Sequence, residues 1–315
     1  MPLPNFLIFG VQKAGTTSIY NYLCEHPQVY MSPLKETEFM GRKPLSDEEY
    51  AALRDEQKMT RGGRRQILRI QDYRALFDGV TDEIAIGEAS PNYLFLHEQA
   101  VPQIQAHTPE AKLIAVLRNP VERAYSDYLM HVRDLVGNQK PLAEQVQKSG
   151  DSSYTLLKGR YSEGLAHFLD AFGSDASGSG QVKVFLYDEL RADSDRFMQN
   201  LYSFIGVDPT FKADTKTKQQ TAQVPKNQSI NKLLRTKNPL RSLAGTVLRT
   251  VMPEAQRQKL RSRLISANSQ GKEALPLSSE DRALLENYYR EDILKLQDLL
   301  QRDLSMWFKA TGTAS

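Results

Sequence analysis

The sequence predicts a three-layer α/β/α fold on a central parallel sheet, with a helical C-terminal part packed on it. Three observations predict it. Short apolar runs recur at Asn5–Phe9, Ile84–Gly87, Lys112–Leu117 and Val182–Tyr187, each bounded by polar or turn residues, as buried parallel strands are. Helical patterns lie between them, the alternation of a doubly wound sheet. With 315 residues, 40% hydrophobic and 25% charged, the chain is long and apolar enough to bury one large core. The expected organisation is a single domain over residues 1–315, with a helical extension over about 228–310.

Each element has a local reason. Asn5–Phe9 is the first core strand, and the helical pattern Thr17–Cys24 follows it. The stretch Ser46–Gln57 reads as a helix, because Ser46 and Glu49 have capping-box spacing. Glu98–His107, Val121–Arg133 and Tyr161–Phe172 are the later helices. Gly173–Gln181 is rich in Gly and Ser and reads as a helix-to-strand loop, and the polar stretch Asp208–Gln228 as a surface loop. Ser279–Leu300 carries Leu284, Leu285, Tyr288, Tyr289, Ile293, Leu296 and Leu300 on one broad stripe, the mark of a helix packed on the sheet.

Composition excludes several classes. Lys and Arg number 41 against 38 Asp and Glu, a net charge of +3, which excludes a general nucleic-acid binder. The single cysteine, Cys24, permits no internal disulfide and reads as a packed helix residue. No apolar run reaches the roughly 18–20 residues of a membrane span, and Phe6–Phe9 leads straight into a glycine rather than a cleavage site. The expected location is cytoplasmic.

The strongest local signal is Gly10-Val11-Gln12-Lys13-Ala14-Gly15-Thr16-Thr17-Ser18, between a predicted strand and a predicted helix. Backbone N–H groups and a helix start converge there on a phosphate-like anion. The spacing of Gly10 and Gly15 makes the fold P-loop-like, yet Thr16 stands where a Walker lysine belongs, and the lysine is inside the loop at Lys13. A second element follows the strand Lys112–Leu117. Arg118 lies at its carboxyl end, where open α/β sheets bind ligands, Pro120 suits a helix start, and Ser126 follows two turns on. An arginine and a hydroxyl suit a second phosphate. Two anion sites at strand ends imply a nucleoside with phosphates at both ends.

These segments resemble sulfotransferases. Lys13–Ser18, followed by Leu23 and His26-Pro27, is similar to the family's 5′-phosphosulfate loop, and Arg118-Asn119-Pro120 with Arg123 and Ser126 to its 3′-phosphate motif. Glu88-Ala89-Ser90-Pro91-Asn92-Tyr93 resembles a segment of the branch holding heparan sulfate and related bacterial enzymes, as do Tyr161–Leu165, Phe185–Leu190, Phe204–Gly206 and the bacterial-type tail from Pro276 to Trp307. The resemblance implies 3′-phosphoadenosine 5′-phosphosulfate (PAPS) as donor, with no required metal. By it Lys13 stabilises the leaving group; Ala14, Gly15, Thr16, Thr17 and Ser18 cradle the 5′-phosphate; Arg118 and Ser126 hold the 3′-phosphate; and Tyr161, with Arg160, lies near the nucleotide.

A base must take the acceptor's proton. The resemblance puts it at Glu36 in Pro33–Met40, Glu38 departs from the family's usual residue, and His131, five residues after Ser126 on one predicted helix, is a rival. His26 closes the first helix, while His97, His107 and His167 belong to no constellation. No Cys/His spacing marks a zinc site. The implied partner is a hydroxyl-bearing acceptor: a carbohydrate, a lipid or a carrier-bound β-hydroxyacyl group. Ala89 replaces a lysine common in glycosaminoglycan-acting relatives, and the basic segment Lys58, Arg61, Arg64, Arg65 and Arg69 is read as a solvated loop or an acceptor-side flap. The alternatives are a P-loop nucleotide kinase or NTPase, disfavoured by Thr16, and a non-catalytic nucleotide-binding module.

Overall fold

The computed structural model describes residues 2–59, 66–135, 140–174, 180–215, 223–235, 256, 263–271 and 274–308. The chain divides into two compact units. The first comprises Met1–Arg123, Leu157–Lys218 and Tyr289–Lys309, and the second Ala124–Leu156, Gln219–Tyr288 and Ala310–Ser315.

The first unit is built on a five-stranded sheet. Its strands are β1 (Phe6–Gly10), β2 (Val29–Met31), β3 (Ala85–Ala89), β4 (Lys112–Leu117) and β5 (Val182–Leu186), in the order β2-β3-β1-β4-β5. All neighbours are parallel. β1 and β3 are buried along their whole length, as strands covered on both faces must be. Helices α1 (Thr16–Glu25), α2 (Asp47–Ala51), α3 (Ile70–Arg74), α4 (His97–His107) and α5 (Pro120–Asp134) come between or after the first four strands. Then follow α6 (Leu142–Ser149), α7 (Tyr154–Leu157), α8 (Ser162–Phe172), α9 (Tyr187–Ala192), α10 (Ser194–Ile205), α11 (Gln228–Arg235) and α12 (Ser279–Leu300).

Local chemistry sets the ends of these helices. His26 closes α1 as the sequence predicts: its N–H donates to the Leu23 carbonyl at 3.2 Å, and its Nδ1 accepts the Gln28 N–H at 3.1 Å. The Asn119 carboxamide oxygen accepts the Val121 and Glu122 N–H groups and opens α5. Asp193 caps α10, and Gly206, at φ 86°, ends it in the left-handed conformation that glycine adopts without cost. On α12 the buried face is Tyr289, Ile293 and Leu296 in the first unit and Leu285 in the second.

Several expectations need correction. β2 has three residues, too few for a period to show, and the sequence did not reveal it. β3 runs two residues beyond the predicted Gly87, so Glu88 lies inside a buried strand. The Ser46–Gln57 helix stops at Ala51 and resumes as a 3₁₀ turn over Asp55–Lys58. The Ser46–Glu49 capping box forms, but only Tyr50 is buried on α2, too little face to carry a longer helix. Cys24 is exposed rather than packed.

The second unit holds an antiparallel pair, β6 (Gln223–Pro225) with β7 (Ser269–Gly271), inside and beyond the stretch expected to be loop. Lys226 N–H donates to the Asn268 carbonyl at 2.7 Å, and the Asn231 carboxamide donates to the Arg133 carbonyl near the end of α5 at 2.9 Å. Among the described residues no helix is long and apolar enough to cross a membrane.

Candidate active site

The first site element leaves the carboxyl end of β1, the central strand. From β1 the chain runs first to β2 and β3 on one side and then to β4 and β5 on the other, so β1 marks the topological switch where such sheets bind ligands. Val11 N–H extends the pairing with β4 by donating to the Val116 carbonyl at 3.1 Å, and the loop then turns: Ala14 N–H donates to the Val11 carbonyl at 3.3 Å, and Lys13 and Gly15 take φ of 72° and 80°. A side chain at Gly15 would come within 2.7 Å of Leu190 and 3.0 Å of Tyr187, so this turn needs glycine. α1 then starts at Thr16 with no side-chain cap and no acidic residue in its first turn. Its first N–H groups have no intrahelical acceptor, which leaves a positive pole suited to an anion.

Arg118 reaches this loop from the end of β4. Its Nη1 donates to the Lys13 carbonyl at 2.7 Å, and its guanidinium lies over the Tyr187 ring at 4.8 Å. Burial pushes its pKa down, but arginine stays charged at any ordinary pH. Tyr161 is buried and donates its hydroxyl to the Arg118 carbonyl at 2.9 Å. Asp292, on α12, holds Tyr161 in place: its carboxylate accepts the Tyr161 N–H at 2.7 Å and the Ser162 hydroxyl at 2.6 Å, at the start of α8. Burial raises the Asp292 pKa, and these donors offset part of that cost. Lys158 reaches back to the Gln12 carboxamide oxygen at 3.0 Å. A narrow crevice opens here between Val11, Gln12, Asn92, Phe95, Lys158 and Arg160.

The second element is Lys35–Met40, after β2. Glu36 N–H donates to the Ala89 carbonyl at 2.9 Å, which fixes Glu36 at the carboxyl end of β3, beside β1. Glu36 and Glu38 both have left-handed backbones, at φ 58° and 53°. Their side chains are used differently. Glu36 is 40% exposed and pairs with Lys35 at 2.9 Å. Glu38 is clamped: it accepts from the Asn92 carboxamide at 2.6 Å and meets Arg42 at 3.4 Å.

The first unit thus brings Lys13, Gly15, Thr16, Arg118 and Tyr161 together, with Glu36 at the neighbouring strand end. Ser126 and His131 belong to the second unit, where His131 lies 3.8 Å from Asp127 and 3.4 Å from Thr155. Sequence reasoning missed Lys158 and Asp292, and it named Glu88 and Asn92 only within the Glu88–Tyr93 segment, without a role. A carboxylate in a fully buried strand was the available signal for Glu88. Asp292 had none, because its partners are 130 residues away.

Two further expectations changed. His97 and His167 are not isolated: their Nδ1 atoms stand 2.7 Å apart between α4 and α8. Of the basic segment, Arg61, Arg64 and Arg65 lie outside the described residues. Arg69 is a structural clamp, bonded to Asp72 and Asp47 and stacked on Tyr50, and Lys58 sits over the same ring at 5.0 Å.

Known proteins resemble this chain. The chain is 34% identical over 161 residues to mouse carbohydrate sulfotransferase 15, a match covering 40% of this chain and 27% of that protein. It is 24% identical over 314 residues to mouse bifunctional heparan sulfate N-deacetylase/N-sulfotransferase 4, covering 95% of this chain and 30% of that one. The chain therefore spans about a third or less of the length of these relatives. Among solved structures, a sulfotransferase from Alicyclobacillus acidocaldarius superposes with a TM-score of 0.65 at 26% identity, covering 98% of this chain and all of that one. The family model for the sulfotransferase family matches residues 4–212, which hold all of the five-stranded sheet and both site elements, and the chain belongs to that family.

Proposed function

We propose that this chain transfers a sulfuryl group from PAPS to an acceptor hydroxyl. One observation carries the reading: at the switch point of the sheet, Arg118 from β4 is bonded to the backbone of Lys13 in the loop from β1. Two cationic residues are thereby fixed together beside an uncapped helix start, which suits a ligand with separated phosphates. The loop fits such a group, since Gly15 permits the left-handed turn that leads into α1 and the first turn of α1 carries no acidic residue.

Bound there, the donor supplies the sulfuryl group and a phosphate leaving group. Gly15, Thr16, Thr17 and Ser18 hold the 5′-phosphate through N–H and hydroxyl groups. The Lys13 ammonium neutralises charge growing on the leaving oxygen, the role of a fixed electrostatic stabiliser. Arg118 takes the 3′-phosphate, and the resemblance adds Ser126 as a second ligand of it. Glu36 accepts the acceptor's proton. Glu38 accepts from Asn92 and Arg42, and Glu36 from Lys35; the resemblance gives Glu36 as the base. His131 remains the rival base that the sequence offers.

The test is a binding titration followed by turnover. Adenosine 3′,5′-bisphosphate is expected to bind tightly without added metal, and labelled sulfate to pass from PAPS to a member of a panel of hydroxyl acceptors. Binding of ATP with Mg²⁺ and no preference for a 3′-phosphate would overturn the reading in favour of a nucleotide kinase.

A further inference from the structure

Glu88 lies in β3 with no exposed surface, and the donor chemistry above does not use it. Three hydroxyls donate to its carboxylate: Ser90, Tyr93 at 2.9 Å and Thr37 at 3.2 Å. Each of these oxygens also accepts a backbone N–H from the loop after Glu36. Ser90 accepts from Glu38 at 3.1 Å, Thr37 from Phe39 at 3.2 Å, and Tyr93 from Met40 at 3.2 Å. The Thr37 backbone N–H also stabilises the Glu88 charge directly.

The arrangement follows from counting hydrogens. A hydroxyl has one proton to donate. Once ionised, above about pH 7, the Glu88 carboxylate offers only acceptors, so it draws that proton from all three hydroxyls and turns their lone pairs outward. Those lone pairs meet three consecutive N–H groups, those of Glu38, Phe39 and Met40. The loop needs such a hold. Glu36 and Glu38 are non-glycine residues in left-handed conformations, which persist only where the surroundings over-determine them. We propose that Glu88 is a positioning residue, which through the Ser90, Thr37 and Tyr93 hydroxyls fixes the Glu38–Met40 backbone and so aims the Glu36 carboxylate at the end of β3. Its catalytic part rests on the reading of Glu36 as base, but its structural part does not.

Glu88→Gln is the decisive variant. A carboxamide of the same shape has one acceptor oxygen and an NH₂ donor, so at least one hydroxyl must turn and release its N–H. At about pH 8, where Glu88 is ionised, amide hydrogen exchange at Glu38, Phe39 and Met40 is expected to quicken about tenfold or more, with β1 and α1 unchanged. The kcat is expected to fall about 10- to 100-fold, with KM for PAPS and affinity for adenosine 3′,5′-bisphosphate within about twofold of wild type. Unchanged exchange at these amides overturns the proposal. Loss of nucleotide affinity in step with kcat also overturns it, since the effect is then general. If Glu88→Gln does not fold, Tyr93→Phe and Ser90→Ala carry the test: each is expected to quicken exchange at one amide, Met40 or Glu38, and to lower kcat by a smaller factor. Failure of both to do so overturns it. If the wild-type protein transfers no sulfuryl group, the function proposed above fails, while the exchange measurement still decides what Glu88 holds.

Discussion

The two loops at the carboxyl edge of the sheet solve different problems by different means. The loop after β1 has Lys13 and Gly15 in left-handed conformations and a helix start behind it, and two cationic side chains, Arg118 and Lys158, bond to it at the Lys13 carbonyl and the Gln12 carboxamide. The loop after β2 places non-glycine residues in the same left-handed region and is held by side chains from a distant strand, centred on Glu88, which is 51 residues from Thr37. The difference has a chemical cause. An anion can be bound by N–H groups, which every residue carries, so a cradle fits in a short local motif. A base must be a side chain, and aiming a side chain takes a polar network assembled from separate segments.

The largest expected effects separate base from cradle. Glu36→Gln is expected to lower kcat about 10²–10⁴-fold with nucleotide affinity intact. Should the variant turn over at the wild-type rate, the base lies elsewhere and His131 becomes the residue to change. Lys13→Ala is expected to cost about 10²–10³ in turnover. The variant should stay folded, because the Arg118 contact is to the Lys13 backbone carbonyl and survives the change.

A third measurement uses pH. Burial pushes the Glu88 carboxyl up to about 7 from an ordinary 4.5. Between those values the folded protein keeps a proton that the unfolded chain has released, so stability falls as pH rises. The gap corresponds to about 3 kcal/mol at roughly 1.4 kcal/mol per pH unit. Tyr73 and Tyr93, the titratable groups packed on Glu88, stay neutral over this range because burial pushes both pKa values upward. Denaturant midpoints measured from about pH 5 to pH 8 should decline in the wild type and decline less in Glu88→Gln. Equal slopes would mean that Glu88 does not change its protonation on folding.

The smallest expected effect belongs to the cradle's turn. Gly15→Ala meets Leu190 and Tyr187 and forces a side chain into φ 80°. We expect a loss of about 1–3 kcal/mol in urea unfolding, together with weaker nucleotide binding. Undiminished binding would show that the cradle tolerates movement at this turn.

Legibility in the sequence follows the same division. The four long strands, the main helices, the Lys13–Ser18 cradle and Arg118 could all be read, because apolar runs and glycine spacing are local signals. β2 was too short to show a period. The Glu88 hub was partly hidden, because the predicted strand ended one residue before it. The His97–His167 pair and the Asp292 cap on α8 depend on residues 70 and 130 positions apart, and no local pattern announces them.

The sequence by itself determined the layer architecture, the glycine-bearing loop after β1 and the place of Arg118 at the end of β4, because periodicity, glycine and charge act within a few residues. The tertiary structure alone decided the partners of the two loop carboxylates, Asn92 and Arg42 for Glu38 and Lys35 for Glu36. It also decided that a buried glutamate sits under the loop carrying both. Those outcomes depend on which hydroxyls and amides meet in the folded interior, where an unmatched polar group is costly and only the complete set of partners removes the cost.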